Sequence, residues 1–425
     1  MKRFWLPLGL FAMVVIGSYD MLRGAAAPLM QMDWRLGYEQ LGEVFSVGSL
    51  GYLAGTLTAG QAVSRLGIRR LVVLGAAVVA LGTATVLMAR GFLSAAIGFA
   101  VVGFGTGGLE IGTNAVIPAI TASGAGQARY FNWLHGFYGI GACGLPLAAG
   151  WYLQTSHAWR GVYGVLAVAV AVIFALAAWR RQEAGADASN RWGTAGTASA
   201  DPAPVPWRSG VLWGLMAAIG VYVMAEVGLG TWLTTYLKEA RGLPLGLASI
   251  CLSGFFLTFT AGRLAAPALL NRVEPRRLIL AALAVALTLL GSSLLFPTGT
   301  MDGLVVAGVM ASGAGFSVLF PTLTALASHR FAAQADRVIG LMFTAGAIGS
   351  MAVNTLIGAV SSAWGIRMGF GLIWGFLWIT LGMVMVLPGE HGQKSGRRDE
   401  DLSGYPGQSG PAETRRDACE DAAQL

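Results

Sequence analysis

Uncharged apolar runs of about 20 residues or longer, each enough for an α-helix to cross the core of a bilayer, recur along the chain as far as residue 388. Residues 91–128, for example, contain a single charged side chain, Glu110. Only 12% of all residues are charged, about half the share in a soluble domain. Because lipid offers the backbone no hydrogen-bond partners, spanning segments are expected to be helical. The sequence therefore predicts an all-α membrane protein with many crossings.

The hydropathy pattern predicts twelve transmembrane helices arranged as two six-helix bundles. The bundles occupy residues 1–179 and 210–388, separated by a polar, Pro-containing cytoplasmic linker at 180–209. Residues 389–425 are charged and glycine-rich, which is typical of a disordered tail. The predicted helices are 4–29, 40–63, 71–89, 92–120, 130–153, 160–179, 210–236, 246–270, 277–296, 303–327, 338–361 and 366–388.

Lysine and arginine are concentrated in the segments that share a side with the N-terminus, including 65–70, the linker and 272–277. The positive-inside rule then places both termini in the cytoplasm. We expect a multi-pass monomer of the cell inner membrane. The net charge of +7 does not indicate a nucleic-acid partner, because the basic residues lie at helix ends.

The two halves repeat one basic segment. "SRLGIRRLVVL" from Ser64 and "NRVEPRRLIL" from Asn271 align at an offset of 207 residues, which pairs Arg69 with Arg276. Two parallel six-helix repeats are typical of major facilitator transporters, in which the substrate binds midway between the halves. The segment "GQAVSRLGIRR" also resembles the loop signature of that superfamily, with Ser64 where aspartate is usual. The repeat predicts two bundles related by a pseudo-two-fold axis.

Five charged side chains fall inside predicted helices: Asp20, Arg23, Glu110, Glu226 and Arg263. Charges at membrane depth are costly and usually mark a transport path. We interpret the three acids as candidate proton-coupling residues. Asp20 has a structural alternative, since Arg23 lies at i+3 on the same helix face. Glu226 has no basic residue within two turns of its own helix, and Arg263 can snorkel toward the helix end.

Glu110 is the strongest candidate. In "GGLEIGTNAV", Gly103, Gly107, Glu110 and Asn114 recur at helical spacing and form one face. Glycines there allow close helix packing or leave room for a ligand, and Asn114 is a candidate substrate-binding residue. Glu110 either links neighbouring helices by hydrogen bonds or takes up a proton from one side and releases it to the other.

Two further helices offer candidate substrate contacts. "NWLHGFYGIGACGLP" places Asn132, His135 and the adjacent Tyr138 on a helix expected to line the cavity. "EVGLGTWLTTYL" offers Trp232 and Tyr236, whose rings can stack on a sugar. A lone histidine is also a common structural residue, and Trp or Tyr near a helix end is a common interface anchor.

These segments resemble the fucose permease-like branch of the major facilitator superfamily, which includes fucose, glucose and mannose:H⁺ symporters. The resemblance rests on "YDMLRGAAAPLM", on the Leu-Glu-x-x-x-Asn pattern of "GGLEIGTN" and on "RYFNWLHGFYGIGA". It implies that Asp20 and Glu110 serve proton coupling and sugar binding. Asn132 and His135 fall where the branch carries Gln and Asn sugar contacts. His135 and Arg23 depart from the pattern, which leaves the sugar and the proton role of Asp20 open.

Two functions remain open at this point. The first is proton-coupled import of a sugar or similar polar solute by alternating access. The second is proton-coupled efflux of amphipathic compounds. Its sequence marker is a pattern of glycines around a proline in the fifth predicted helix, and here Pro146 is present but Leu145 and Ala149 replace two of the glycines. No feature of the sequence favours a non-transporting receptor or scaffold. No catalytic constellation, cofactor motif or metal-spaced cluster is visible, so we expect a transporter and not an enzyme.

Overall fold

The computed structural model describes residues 2–121, 125–179, 204–270, 272–299 and 301–387. Most of the predicted linker at 180–209 and the whole predicted tail at 389–425 lie outside these residues. The described chain is helical nearly throughout. Among the described residues, ten helical segments are long and apolar enough to cross a membrane, with Asp302–Arg330 counted as one segment.

The helices fall into an N-terminal half, α1–α5, and a C-terminal half, α6–α12. The first half contains α1 (Lys2–Trp34), α2 (Tyr38–Met88), α3 (Phe92–Ile120), α4 (Ala125–Ser156) and α5 (Trp159–Trp179). The second half contains α6 (Gly210–Glu239), α7 (Leu245–Leu270), α8 (Pro275–Leu295), α9 (Asp302–Ser317), α10 (Leu319–Arg330), a 3₁₀ turn (Ala332–Gln334), α11 (Ala335–Trp364) and α12 (Ile366–Val386).

Two boundaries differ from the sequence prediction. The range Tyr38–Met88 consists of two helices that meet at a kink at Gly67, with φ 75° and ψ 161°, so the predicted break between 40–63 and 71–89 is present but is confined to one residue. Glycine adopts such a positive φ without steric cost. Conversely, the predicted helix 303–327 is divided at Val318 into α9 and α10. Pro321 has no N–H to donate to Ser317, which accounts for the break.

Arginines at equivalent positions of the two halves hydrogen-bond to neighbouring helices. In the N-terminal half, Arg69 donates to the carbonyls of Ala177 and Ala178 at 3.1 and 2.6 Å. In the C-terminal half, Arg276 donates to Val384 and Met385, each 207 residues later, at 3.4 and 2.8 Å. A second pair at the same offset is Arg160 to Leu87 and Arg367 to Leu294. The sequence repeat therefore corresponds to repeated tertiary contacts.

Glycines bring α2 and α3 into backbone contact. Gly103 packs against Gly48, and Gly107 packs against the backbone of Tyr52. Of the two uses that the sequence left open for these glycines, close packing is the one observed. The contact carries Tyr52 to the level of Glu110, one turn further along α3.

Candidate substrate and proton site

Asp20, Tyr52, Glu110 and Tyr138 form what we call the carboxylate cluster. The Tyr52 hydroxyl donates to Glu110 Oε2 at 2.8 Å, and the Tyr138 hydroxyl donates to Asp20 Oδ2 at 2.8 Å. The two carboxylates lie within electrostatic range of one another. Four helices of one half, α1 to α4, each contribute one member. Two acids that share a site in this way respond to each other's charge, which suits a group that alternates between protonation states.

Asp20 has Tyr138, not Arg23, as its hydrogen-bond partner. Arg23 interacts electrostatically with Asp20, but the two form no ion pair within 4 Å, and Arg23 Nε is buried without a hydrogen-bond partner. The structural alternative of a simple i, i+3 salt bridge is therefore not the arrangement observed. Asn114, one turn from Glu110, also has a buried Oδ1 without a partner. Both atoms are buried polar groups whose hydrogen-bonding capacity the protein leaves unused.

Glu226 has a basic neighbour that its own helix does not reveal. Arg263 of α7 places a guanidinium nitrogen 3.6 Å from Glu226 Oε1, and the guanidinium lies over the ring of Phe259 at 4.2 Å. The expectation that Arg263 snorkels to the helix end is thus replaced by an ion pair within the C-terminal half. A proton-coupling role for Glu226 stays a prediction.

The halves meet along α4 and α7, and this seam opens at one end. We call the end of the bundle where α1 begins the proximal end and the opposite end the distal end. Gly150 lies against Ser249 near the distal end, and Gly139 lies against Thr260 further in. On the same face of α4, closer to the proximal end, Asn132 and His135 are exposed. We interpret this exposed polar face of α4, beyond the Gly139–Thr260 contact, as one wall of a cleft between the halves.

Contacts between the halves close the distal end. The backbones of α1 and α6 touch at Gly24 and Gly230, and Gly42 of α2 lies against the carbonyl of Asn354 on α11. Polar bonds reinforce the closure. They join Tyr38 to Glu239, Glu39 N to Ser362 Oγ at 3.0 Å, Thr355 N to Ser46 Oγ at 3.1 Å and Gly246 N to Gln154 Oε1 at 2.8 Å.

The two aromatic candidates on α6 are both buried away from the cleft. Trp232 Nε1 donates to Asn354 Oδ1 at 3.2 Å, and its side chain has no exposed surface, so it belongs to the distal closure. Tyr236 stacks on Phe370, with ring centroids 4.1 Å apart, and donates to Ser293 O at 2.5 Å. In this conformation neither ring can stack on a solute, and the interface-anchor alternative does not describe them either, because both are interior.

Tyr52 is the member of the cluster that sequence reasoning missed. No charge or motif marks it, and the signal that could have found it is indirect. In "SLGYLAGT" it lies between Gly51 and Gly55, and both glycines pack against the backbone of α3. A tyrosine between two close-packing glycines must point toward the partner helix or along it.

Replacing Tyr52 with phenylalanine tests its contribution. The change keeps the ring and removes the donor to Glu110, so we expect proton-driven uptake to slow roughly tenfold, the effect of one charge-assisted hydrogen bond. Initial uptake rates in proteoliposomes provide the measurement. The matched control is Tyr152→Phe, because Tyr152 is 39% exposed. A wild-type rate in Tyr52→Phe would contradict a role for the hydroxyl.

Within the described ranges, no group of three or more His, Cys, Asp or Glu side chains could hold a metal ion. The candidate residues of the site carry carboxylates, hydroxyls, amides and one imidazole. Such groups can exchange hydrogen bonds with hydroxyl-bearing solutes, and carboxylates and imidazole can also take up protons.

The sequence matches the Major Facilitator Superfamily over residues 8–354. Among curated proteins, the chain is 24% identical to Protein TsgA of Escherichia coli O157:H7 over 254 residues, which cover 59% of this chain and 61% of TsgA. The chain thus matches about three fifths of the length of that relative.

Solved structures share the fold. The structure of a D-xylose-proton symporter matches with a TM-score of 0.72 at 11% identity, covering 92% of this chain and 99% of the other. The E. coli fucose:proton symporter FucP matches with a TM-score of 0.57 at 18% identity, with the same coverage. At these identities the likeness concerns the fold alone. The family match over residues 8–354 confirms the prediction from the repeat, and the helical architecture agrees with it: the chain belongs to the Major Facilitator Superfamily, a family of membrane transporters and not of enzymes.

Proposed function

We propose that the chain is a proton-coupled importer of a sugar or a similar polar solute that works by alternating access. The carboxylate cluster is the observation that carries this proposal. Asp20 and Glu110 lie within electrostatic range of one another, each accepts one tyrosine hydroxyl, and Tyr138 is on the helix that also carries the exposed Asn132 and His135. A proton that enters this pair changes its charge, and solute hydroxyls compete for the same oxygens. Protonation and solute binding are then thermodynamically coupled, and the coupling is reciprocal.

The topology we propose has twelve crossings in two bundles related by a pseudo-two-fold axis. In this arrangement α2 crosses twice and turns near Gly67, α4 crosses once, and α9 with α10 crosses once. The distribution of lysine and arginine supports cytoplasmic termini in a cell inner membrane. The proximal end then faces the cytoplasm, so the cleft is open to the inside. We propose that the monomer transports, since each chain contains both halves and its own cleft.

The polar groups at the cleft support a hydroxyl-bearing solute. Asn132 and His135 are exposed on the α4 wall, and Asn114 presents an unpaired Oδ1 one turn from Glu110. Tyr138 connects the carboxylate cluster to the polar face of α4, since its hydroxyl binds Asp20 and its helix borders the cleft. Trp232 and Tyr236 would contact solute only if the distal end opens and α6 rearranges.

The decisive experiment measures uptake by purified protein in proteoliposomes. A panel of labelled pentoses, hexoses, polyols and sugar acids is offered with and without an imposed inward proton gradient. We expect at least one member to accumulate above its external concentration, and to do so only with the gradient. Absence of gradient-dependent uptake across the panel, together with proton-driven export of a lipophilic dye, would support the drug-type antiporter instead.

A further inference from the structure

Arginines in membrane helices normally have their donors occupied. Arg69 and Arg276 each bind two backbone carbonyls. Arg241 binds Asp302 at 2.6 Å and the carbonyl of Ser293 at 2.9 Å. This pattern is expected, because an unpaired guanidinium at membrane depth is costly. An arginine that departs from it requires an explanation.

Two arginines depart from the pattern: Arg23 of α1, whose Nε is buried without a partner, and Arg263 of α7, whose side chain is exposed. The nearest acid to Arg263, Glu226, is 3.6 Å away, beyond the range of a good charge-assisted hydrogen bond. In the part of the chain that the structure describes, the guanidinium of Arg263 makes no hydrogen bond, and its side chain is 40% exposed. One face rests on the ring of Phe259, which orients the planar group. Five N–H donors in a fixed fork are therefore available.

Arg263 lies near the side of α7 that packs against α4. Arg263 follows Thr260 by three residues, and Thr260 contacts α4 at Gly139. His135, on the α4 wall, lies within electrostatic range of Arg263, and Asn132 lies one turn from His135. One cation of the C-terminal half thus stands opposite polar groups of the N-terminal half. A solute in the cleft would contact both.

We propose that Arg263 binds the carboxylate of the solute, so that the substrate is a polyhydroxy carboxylate, an aldonate or uronate, and not a neutral sugar. This inference rests on the proposed function, because the hydroxyls of such a solute bind at Asn132, His135 and the carboxylate cluster. The guanidinium fork matches a carboxylate in a bidentate geometry. A neutral solute would leave the fork unpaired as the cleft closes around it, which costs the desolvation of a charged donor.

Glu226 competes with the solute for Arg263. In the empty cleft the glutamate partly neutralises the arginine at 3.6 Å, which makes the unpaired state tolerable. The charged and titratable groups around it are Arg263 of α7, Tyr222 of its own helix and, beyond the guanidinium, His135 of α4. A substrate carboxylate must displace or join Glu226 at the guanidinium. Removing the charge of Glu226 should therefore favour anion binding, whereas removing Arg263 should prevent it.

The test compares two charge-removing variants of one pair. Exchange of labelled D-gluconate and D-galacturonate is measured in proteoliposomes beside D-glucose and L-fucose, without a gradient. We expect the two sugar acids to exchange in the wild type. Arg263→Gln should weaken their half-saturation roughly ten- to hundredfold, and Arg263→Lys should recover part of the loss. Glu226→Gln should lower the half-saturation concentration of both sugar acids. Arg272→Gln, an exposed arginine just beyond α7, is the matched control and should behave as wild type.

Several results would overturn the inference. Gradient-driven uptake of neutral sugars with no exchange of sugar acids would contradict the inference and leave the proposed function intact. If no solute of either kind is transported, both the inference and the proposed function are contradicted. Equal loss of sugar-acid exchange in Arg263→Gln and Glu226→Gln, with an equal fall in thermal stability, would identify a purely structural ion pair. If Arg263→Gln does not fold, the other two variants still test the inference. Arg263→Lys should bind sugar acids more weakly than the wild type, and Glu226→Gln should bind them more tightly.

Discussion

Replacing Glu110 with glutamine is expected to abolish proton-driven accumulation while solute exchange persists. Glutamine keeps the length and shape of glutamate and can still accept the hydrogen bond from Tyr52, but it does not take up and release a proton. Solute binding and the motion of the halves do not require that proton. Uphill transport does, because the solute gradient is built only through the coupling between the two binding events.

Two measurements on one preparation separate these effects. Uptake of labelled solute under an imposed proton gradient should fall to the level of equilibration, and exchange of labelled for unlabelled solute should remain within about an order of magnitude of wild type. The control is Glu39→Gln, the same substitution at an exposed carboxylate of α2. Undiminished uphill uptake in Glu110→Gln would show that the proton is carried elsewhere, and Asp20 would then be the first alternative.

The sequence predicts features that depend on local pattern. The helical, membrane-spanning character of the long apolar segments follows from hydropathy, and the matched contacts of Arg69 and Arg276 follow from an offset visible in the sequence. Glu110 could be identified as a candidate because it is the single charged residue of 91–128, and placing a charge at membrane depth is unfavourable in free energy. These inferences need no knowledge of which helices are neighbours.

Features that depend on neighbouring helices could not be predicted. Glu226 looked isolated because its partner, Arg263, is on a different helix. Trp232 and Tyr236 were interpreted as solute contacts because their residue types suit a sugar, yet the direction of a side chain is set by what the helix packs against. Tyr52 carries no charge and belongs to no motif, and only the close packing of α2 on α3 brings it to Glu110.

Enlarging Gly42 is expected to prevent closure of the distal end and to stop transport. A Cβ atom at this position would overlap the backbone carbonyl oxygen of Asn354, and the reciprocal contact places Gly358 against the backbone of Tyr38. Backbone atoms cannot rotate aside as side chains do, so Gly42→Leu must push α2 and α11 apart. Overpacking of this kind costs about 1–3 kcal/mol, which shifts the ratio of two conformations by about 5- to 150-fold.

The chain offers a matched control on the same helix. A Cβ atom at Gly60 would meet nothing within 4 Å, so Gly60→Leu adds the same side chain without steric conflict. Spin labels at Met32 and Trp364, which are 67% and 69% exposed at the distal ends of the two halves, report the separation. We expect a longer distance and a large loss of transport in Gly42→Leu, and wild-type values in Gly60→Leu.

The outcome also tests whether this conformation is one of the two states that transport requires. If distal closure is an obligatory state, Gly42→Leu should still bind solute, because neither the carboxylate cluster nor Arg263 takes part in the contact between Gly42 and Asn354. Binding and transport would then separate in a single variant. A variant that transports normally with an unchanged label distance would mean that α2 and α11 tolerate the larger residue, and that the closed distal end has no special role.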